Sequence, residues 1–368
     1  MRIALYHNLP PGGALRYMRE VVARSARDHD YTEFTPSYAE REWALRPLTN
    51  AMAVARQERR IAAEIDAGGF DVAFVHGCRV MQAPGVLSML ATPSLYMIQE
   101  PRRRTVETGY RPGAQTRTGF ARAAWSVGRV GYDTVLGRRD RKAAAAATAL
   151  ACNSLFSAEN ISRVYGRDAI ACYAGVDIER FFPDPSSSPS RSFYLSVGAL
   201  DASKGHDLAI EAISRLNGTN RLPLVVVGSR SDPEAADALE AQARGAGVDL
   251  RVRTSVSDDE LVGLYRNAAA ALCLARLEPF GLTVHEAVAC GTPVVAVREG
   301  GFRETLVEGV NGLGAERNAT SVADAIARLG TLGLTNDAGA LHAQAAQWTW
   351  DLTAKRLNEL LEAAAATR

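Results

Sequence analysis

The chain has 368 residues, 47% apolar and 23% charged, with a formal net charge of +1. That length is too great for one ordinary domain and comfortable for two soluble ones, each able to bury a core. The near-neutral balance excludes nucleic-acid binding driven by bulk charge, and no apolar run approaches the ~18 residues of a membrane span. Five cysteines (Cys78, Cys152, Cys172, Cys273, Cys290) form no CxxC pair. They read as small buried hydrophobes in a reducing compartment. The opening MRIALYHNLP reads as a strand and turn, so no signal peptide is expected, and the expected location is cytoplasmic.

Short apolar runs alternate with amphipathic stretches, the pattern of parallel sheets covered by helices, which makes the fold class α/β. In the first half, strands are expected at Ile3–His7, Val72–His76, Leu95–Ile98, Leu150–Cys152 and Ile170–Tyr173. Helices are expected at Ala14–Arg27 and Ala51–Ala67. Between Arg102 and Lys142, eleven Lys/Arg face three Asp/Glu, interleaved with Phe120, Trp125 and Tyr132. That composition suits a phosphorylated acceptor or peripheral contact with an anionic membrane, at its inner face. PDPSSSPSRS, residues 183–192, has the composition of a linker. The predicted domains are therefore 1–182 and 193–348, with a C-terminal helix in 349–368. In the second half, strands are expected at Phe193–Val197, Leu224–Val227, Leu250–Arg253, Ala270–Leu274 and Val294–Val297. Helices are expected at Asp207–Leu216 and Asp258–Asn267.

The segment Glu278-Pro279-Phe280-Gly281-Leu282-Thr283-Val284-His285-Glu286 carries the most chemistry. A buried strand ends in a Pro/Gly turn, and a helix begins near Gly281 or Leu282. The helix start offers free amides and a positive dipole end to a phosphate or sugar hydroxyl. It lies beyond the carboxyl end of a strand, where open α/β sheets bind ligands. Glu278 precedes the helix and Glu286 lies inside it, eight residues on. The two acids can therefore address different parts of one extended ligand, and a carboxylate can accept from both hydroxyls of a diol. Lys204, before a glycine and a helix, is a sensible phosphate partner. The strand ending at His76 brings that histidine to the carboxyl end of the first sheet.

This segment resembles the E-x7-E motif of glycosyltransferase family 4. So do Ser196-Val197-Gly198-Ala199-Leu200 with Lys204-Gly205-His206-Asp207, the stretch Val256 to Leu261 with Leu264-Tyr265, and Gly300-Gly301-Phe302-Arg303-Glu304. Pro11-Gly12-Gly13 with Arg16, Asn153-Ser154 and Trp348-Thr349-Trp350-Asp351 match as well. The resemblance implies the GT-B fold, two Rossmann-like domains facing a central cleft. The first domain would bind the acceptor and the second a UDP- or GDP-linked sugar. By the same resemblance Glu286 meets the ribose and Glu278 the donor sugar. Amides of Phe280, Gly281 and Leu282 meet sugar hydroxyls and phosphate. Gly198 and Lys204 lie at the diphosphate, and groups from Thr254 to Val256 hold the base. Gly12 and Gly13 let the N-terminal loop approach the diphosphate, and His76 contacts the sugar. Arg16, Glu100, Arg102 and Arg103 are candidates for acceptor or phosphate contact.

The implied activity is metal-independent, retaining hexosyl transfer from a nucleotide sugar to a small-molecule, glycan or lipid-linked acceptor, with no cofactor. No Cys/His/Asp cluster has metal-ligand spacing, so Lys, Arg and helix amides would stabilise the leaving diphosphate. One departure stands out: the family usually has arginine where this chain has Ala199. That motivates a second reading, a non-catalytic nucleotide-sugar-binding or scaffold protein of the same fold. A nucleotide-sugar epimerase is a third, although E-x7-E is not expected there. A dehydrogenase is disfavoured because no G-x-G-x-x-G follows the first strand.

Overall fold

The computed structural model describes residues 1–37, 46–80, 82–101, 134–184, 186, 189–228, 233–333 and 337–367. It divides into two units, Met1–Tyr173 with Thr353–Arg368, and Ala174–Leu352. Each unit is built on a parallel six-stranded sheet.

In the first unit the strands are β1 (Arg2–Asn8), β2 (Asp30–Phe34), β3 (Val72–Cys78), β4 (Ser94–Ile98), β5 (Ala149–Cys152) and β6 (Ile170–Ala171), in the order β2-β1-β3-β4-β5-β6. β4 is buried along its whole length and β3 along all but one residue, which is why they read as unbroken apolar runs rather than alternating ones. β2 lies at the sheet edge with a mostly exposed pattern, so its DYTEF sequence carries no apolar signal. The chain direction across the sheet switches between β1 and β3, and ligand sites of open α/β sheets gather at the carboxyl side of such a point.

Buried carboxylates organise the loop that follows β3. The Glu58 Oε1, on the helix Arg46–Ala67, accepts from the Tyr6 hydroxyl and the Gly85 amide, both at 3.0 Å. Asp140 accepts from the Ala83 amide at 2.8 Å and the Tyr165 hydroxyl at 2.8 Å. Among the described residues the Glu58 Oε2 has no hydrogen-bond partner, and burial pushes the Glu58 carboxyl up from 4.5 to about 7, only partly offset by its hydrogen bonds. Because the folded state holds this proton and the unfolded chain releases it, stability is present at low pH. It is lost as pH rises from about 4.5 through about 7, by about 3 kcal/mol at most. Glu58→Gln should therefore match the wild type in unfolding midpoint near pH 4 and exceed it at pH 8. Parallel curves across that range, by thermal unfolding, would contradict a buried titrating Glu58.

In the second unit the strands are β7 (Tyr194–Val197), β8 (Leu224–Gly228), β9 (Leu250–Thr254), β10 (Ala270–Cys273), β11 (Val294–Val297) and β12 (Gly312–Ala315), in the order β12-β11-β10-β7-β8-β9. The first three strands run outward one way from β7 and the last three the other way, the arrangement of nucleotide-binding Rossmann sheets. The switch point lies between β7 and β10, which pair in parallel. Their carboxyl-end loops therefore leave the sheet side by side. β12 was not expected, because GLGA reads as a turn. Its glycines are set by packing instead: a Cβ on Gly312 would overlap the Val294 carbonyl of the neighbouring strand.

The stretch 183–192, read as the domain linker, lies inside the second unit, past the division after Tyr173. The reason is Arg191, whose guanidinium donates at 2.8 Å each to the Ala268 and Gly291 carbonyls and to the Thr292 hydroxyl. Upstream, the Val176 amide bonds the Trp348 carbonyl at 2.7 Å, so the chain is committed to the second unit well before the Pro/Ser run. The C-terminal helix, Trp350–Ala365, passes to the first unit from Thr353 on, where Asn358 accepts from the Ser25 hydroxyl at 2.5 Å. Among the described residues no helix is long and apolar enough to cross a membrane.

Candidate active site

At the β7–β10 switch point, the Lys204 ammonium pairs with the Glu278 Oε2 at 2.8 Å, and both side chains are about three-quarters buried. The Lys204 loop is held from below. His206 Nδ1 meets the Ser196 hydroxyl at 2.8 Å and its Nε2 meets the Ala199 carbonyl at 3.1 Å. Burial lowers the His206 pKa, so the neutral ring serves as a brace. The two loops are stitched by the Arg276 amide, which donates to the Ser203 carbonyl at 2.7 Å. Gly198 lies directly under the Lys204 chain, where a Cβ would come within 3.0 Å of Cγ. Gly205 has φ +73° and no room for a Cβ, which would overlap the Leu274 carbonyl.

The Glu278 loop is itself over-determined. Leu277 holds φ 45°, a left-handed conformation costly for a branched side chain. Its amide is 3.5 Å from Glu299 Oε2, and Glu299 is clamped by Arg317 Nε at 2.8 and 2.9 Å. Arg317 also donates to the Leu274 carbonyl at 3.0 Å. Gly300 and Gly301 press against the other side: the Gly301 amide donates to the Glu278 carbonyl at 2.7 Å, and a Cβ on Gly300 would lie 2.5 Å from that oxygen. The Glu299–Arg317 brace has no local sequence signal, since its parts are far apart in the chain.

Gly281, at φ 101°, caps the helix Leu282–Ala289. The helix start therefore presents its first-turn amides on the carboxyl side of the sheet, beside Glu278. Phe280 anchors this start: its ring stacks on His285 at 5.1 Å, and His285 meets Trp348 at 5.0 Å. His285 is fully buried, its nitrogens lack partners among the described residues, and burial lowers its pKa to about 3. It is a neutral ring packed between Phe280 and Trp348.

Glu286 is 4% exposed, and its Oε2 accepts from the Tyr265 hydroxyl at 2.8 Å. Burial and the neighbouring carboxylate push the Tyr265 phenol up, so this hydroxyl is a permanent donor. Thr254 ends β9 at the sheet edge, and Val256 packs partly on the core. Ser255 between them has φ 58°. The carboxyl ends of β7, β8 and β9 thus lie along one side of the sheet, from Gly198 to Val256.

In the first unit, Gly12 has φ 145° and caps the helix Gly13–Ser25, with nothing within 4 Å of a Cβ. Backbone shape, not crowding, selects glycine there. The Gly12 carbonyl accepts from the Arg16 amide at 3.0 Å. His76 does not end its strand. β3 continues to Cys78, and His76 lies within it, fully buried, 4.4 Å ring to ring from Phe74. Burial, then the charge of His7, lowers its pKa to about 3, and among the described residues neither ring nitrogen has a partner. The Glu100 carbonyl accepts from the Gln82 side-chain amide at 2.5 Å. Arg102 and Arg103, with most of the basic stretch read as an acceptor or membrane contact, lie outside the described residues.

Residues 177–346 match the family described as Glycosyl transferases group 1. A D-inositol 3-phosphate glycosyltransferase of Frankia alni is 38% identical over 173 residues, 42% of each chain. One of Geodermatophilus obscurus is 33% identical over 241 residues, 60% of this chain and 52% of that one. The chain spans about half the length of the curated relatives it matches. Among solved structures, a sucrose-phosphate synthase of Thermosynechococcus elongatus superposes with a TM-score of 0.78 at 17% identity, covering 100% of both chains. HepE of Anabaena in complex with UDP-glucose gives 0.75 at 17% identity, covering 99% of this chain and 100% of that one. At such identities these likenesses speak for the fold. The second unit thus carries a match to the Glycosyl transferases group 1 model over residues 177–346, and the chain shares the GT-B fold of the solved structures it resembles.

Proposed function

We propose that the protein is a metal-independent, retaining glycosyltransferase that moves a hexose from a UDP- or GDP-linked donor to a small-molecule, glycan or lipid-linked acceptor. The observation that carries this reading is the convergence of Lys204, Glu278 and the Gly281 helix start at the β7–β10 switch point, with the buried Glu286 inside that helix. Lys204 and the helix amides would take the diphosphate, Glu278 and the Phe280–Leu282 amides the sugar, and Glu286 the ribose. Thr254 to Val256 would hold the base. Such fixed donors and one ammonium, aimed where negative charge grows on the leaving diphosphate, can stabilise an oxocarbenium-like transition state. In the first unit, Gly12, Gly13 and Arg16 at the start of the helix Gly13–Ser25, and Glu100 after β4, are the candidates for acceptor or phosphate contact. The UDP-glucose held by the Anabaena structure supports a nucleotide-sugar donor.

The test is binding first and turnover second. UDP or GDP at several hundred times its dissociation constant should raise apparent stability by about 3–4 kcal/mol, seen as a thermal shift. Glu286→Ala should abolish most of that shift while leaving the fold intact. No shift with either nucleotide would defeat the reading. Binding without transfer or donor hydrolysis would instead mark a non-catalytic nucleotide-sugar-binding protein.

A further inference from the structure

We infer that Tyr265 is a positioning residue that sets the Glu286 carboxylate for the two ribose hydroxyls, and so makes the pocket selective for ribonucleotides over deoxyribonucleotides. The inference rests on the donor-site reading above and adds a residue to it.

Tyr265 and Glu286 come from different helices, Asp258–Asn267 and Leu282–Ala289. Tyr265 is fully buried and Glu286 nearly so. A carboxylate on a helix can rotate about its last bond, and a buried one needs partners to choose an orientation. The Tyr265 hydroxyl supplies that choice by donating to Oε2 at 2.8 Å. A ligand diol must then be read by a group whose plane is already set.

Tyr265 is itself held rigidly. Its carbonyl accepts from the Thr292 hydroxyl at 2.5 Å, and that hydroxyl accepts from Arg191 at 2.8 Å. Its ring meets Phe181 edge-on with centroids 6.1 Å apart. These contacts reach the stretch 183–192 at one end and the ligand-side acid at the other, so the phenol cannot follow the carboxylate if the latter turns. A preset acceptor costs nothing to orient when ligand arrives, whereas a free one does. A nucleotide lacking the diol gains nothing from the preset acid.

The experiment measures dissociation constants of UDP, GDP and their 2′,3′-dideoxy forms by calorimetry on the full chain, wild type and Tyr265→Phe. Phenylalanine keeps the ring and its packing. The expected result is that Tyr265→Phe weakens the ribonucleotide by about tenfold, which is about 1.4 kcal/mol. The dideoxy form should bind both proteins alike. Thr292→Val, which releases the Tyr265 carbonyl, should show the same asymmetry to a smaller degree. Equal weakening of both nucleotide forms would assign Tyr265 a packing role only and overturn the inference, as would no weakening at all. Failure of the wild type to bind either ribonucleotide would remove the donor-site reading itself, and the inference with it.

Discussion

Lys204→Ala should lower kcat by about two to three orders of magnitude, the loss typical of removing one preorganised electrostatic contact to a developing anion. In the free protein Lys204 is already paired with Glu278 at 2.8 Å. On the proposed function its removal would take a cation from the leaving diphosphate and also leave the Glu278 charge unopposed beside it. The second effect acts on binding, the first on the transition state. The double variant Lys204→Ala with Glu278→Gln separates them. It should regain most of the nucleotide affinity lost by Lys204→Ala, while kcat stays low. Steady-state kinetics with titration of the product diphosphate check both parts. A Lys204→Ala enzyme within threefold of wild-type kcat would show that leaving-group stabilisation lies elsewhere.

The largest stability effect is expected at Gly205. Its φ is +73°, and a Cβ would overlap the backbone carbonyl of Leu274, an atom that cannot swing aside as a side chain could. Gly205→Ala should cost about 3 kcal/mol or more: about 1–2 from the left-handed conformation and the rest from prising the β7 and β10 loops apart. Gly218→Ala is the internal control, since Gly218 has φ +58° but nothing within 4 Å of its Cβ. It should cost only the conformational part, about 1 kcal/mol. Unfolding midpoints of the two variants measure the difference. Gly205→Ala should also impair turnover even where it remains folded, because the clash acts directly beneath Lys204. Equal midpoints would mean that the loops yield and that their spacing is not tightly held.

Burial decided which elements were legible in the sequence. β8 (LVVVG) and β11 (VVAV) are buried throughout, and their strand character is written in local composition. The helix Asp258–Asn267 was expected over the residues it occupies; its cap is Ser257, which accepts from the Glu260 amide at 3.2 Å. β2 and β12 escaped for opposite reasons. One is an edge strand with polar residues, and the other is buried but made of glycine because the neighbouring backbone leaves no room. Likewise 183–192 looks like a linker by composition, yet the half-buried Arg191 guanidinium holds three groups of the second unit.

By itself, then, the sequence determined the α/β class, the turn that brings Glu278 before a helix, the Gly281 helix start and the place of Glu286 inside it. These follow from neighbours in the chain: apolar runs, turn residues and helix periodicity act over a few residues. Only the tertiary structure decided that Lys204 meets Glu278, that Tyr265 orients Glu286, and that Glu299 and Arg317 brace a strained Leu277. It also decided that His76 is sealed inside a strand and His285 between aromatic rings. Those contacts join residues tens of positions apart, through the order in which parallel strands assemble. No local pattern can encode which loops will emerge side by side.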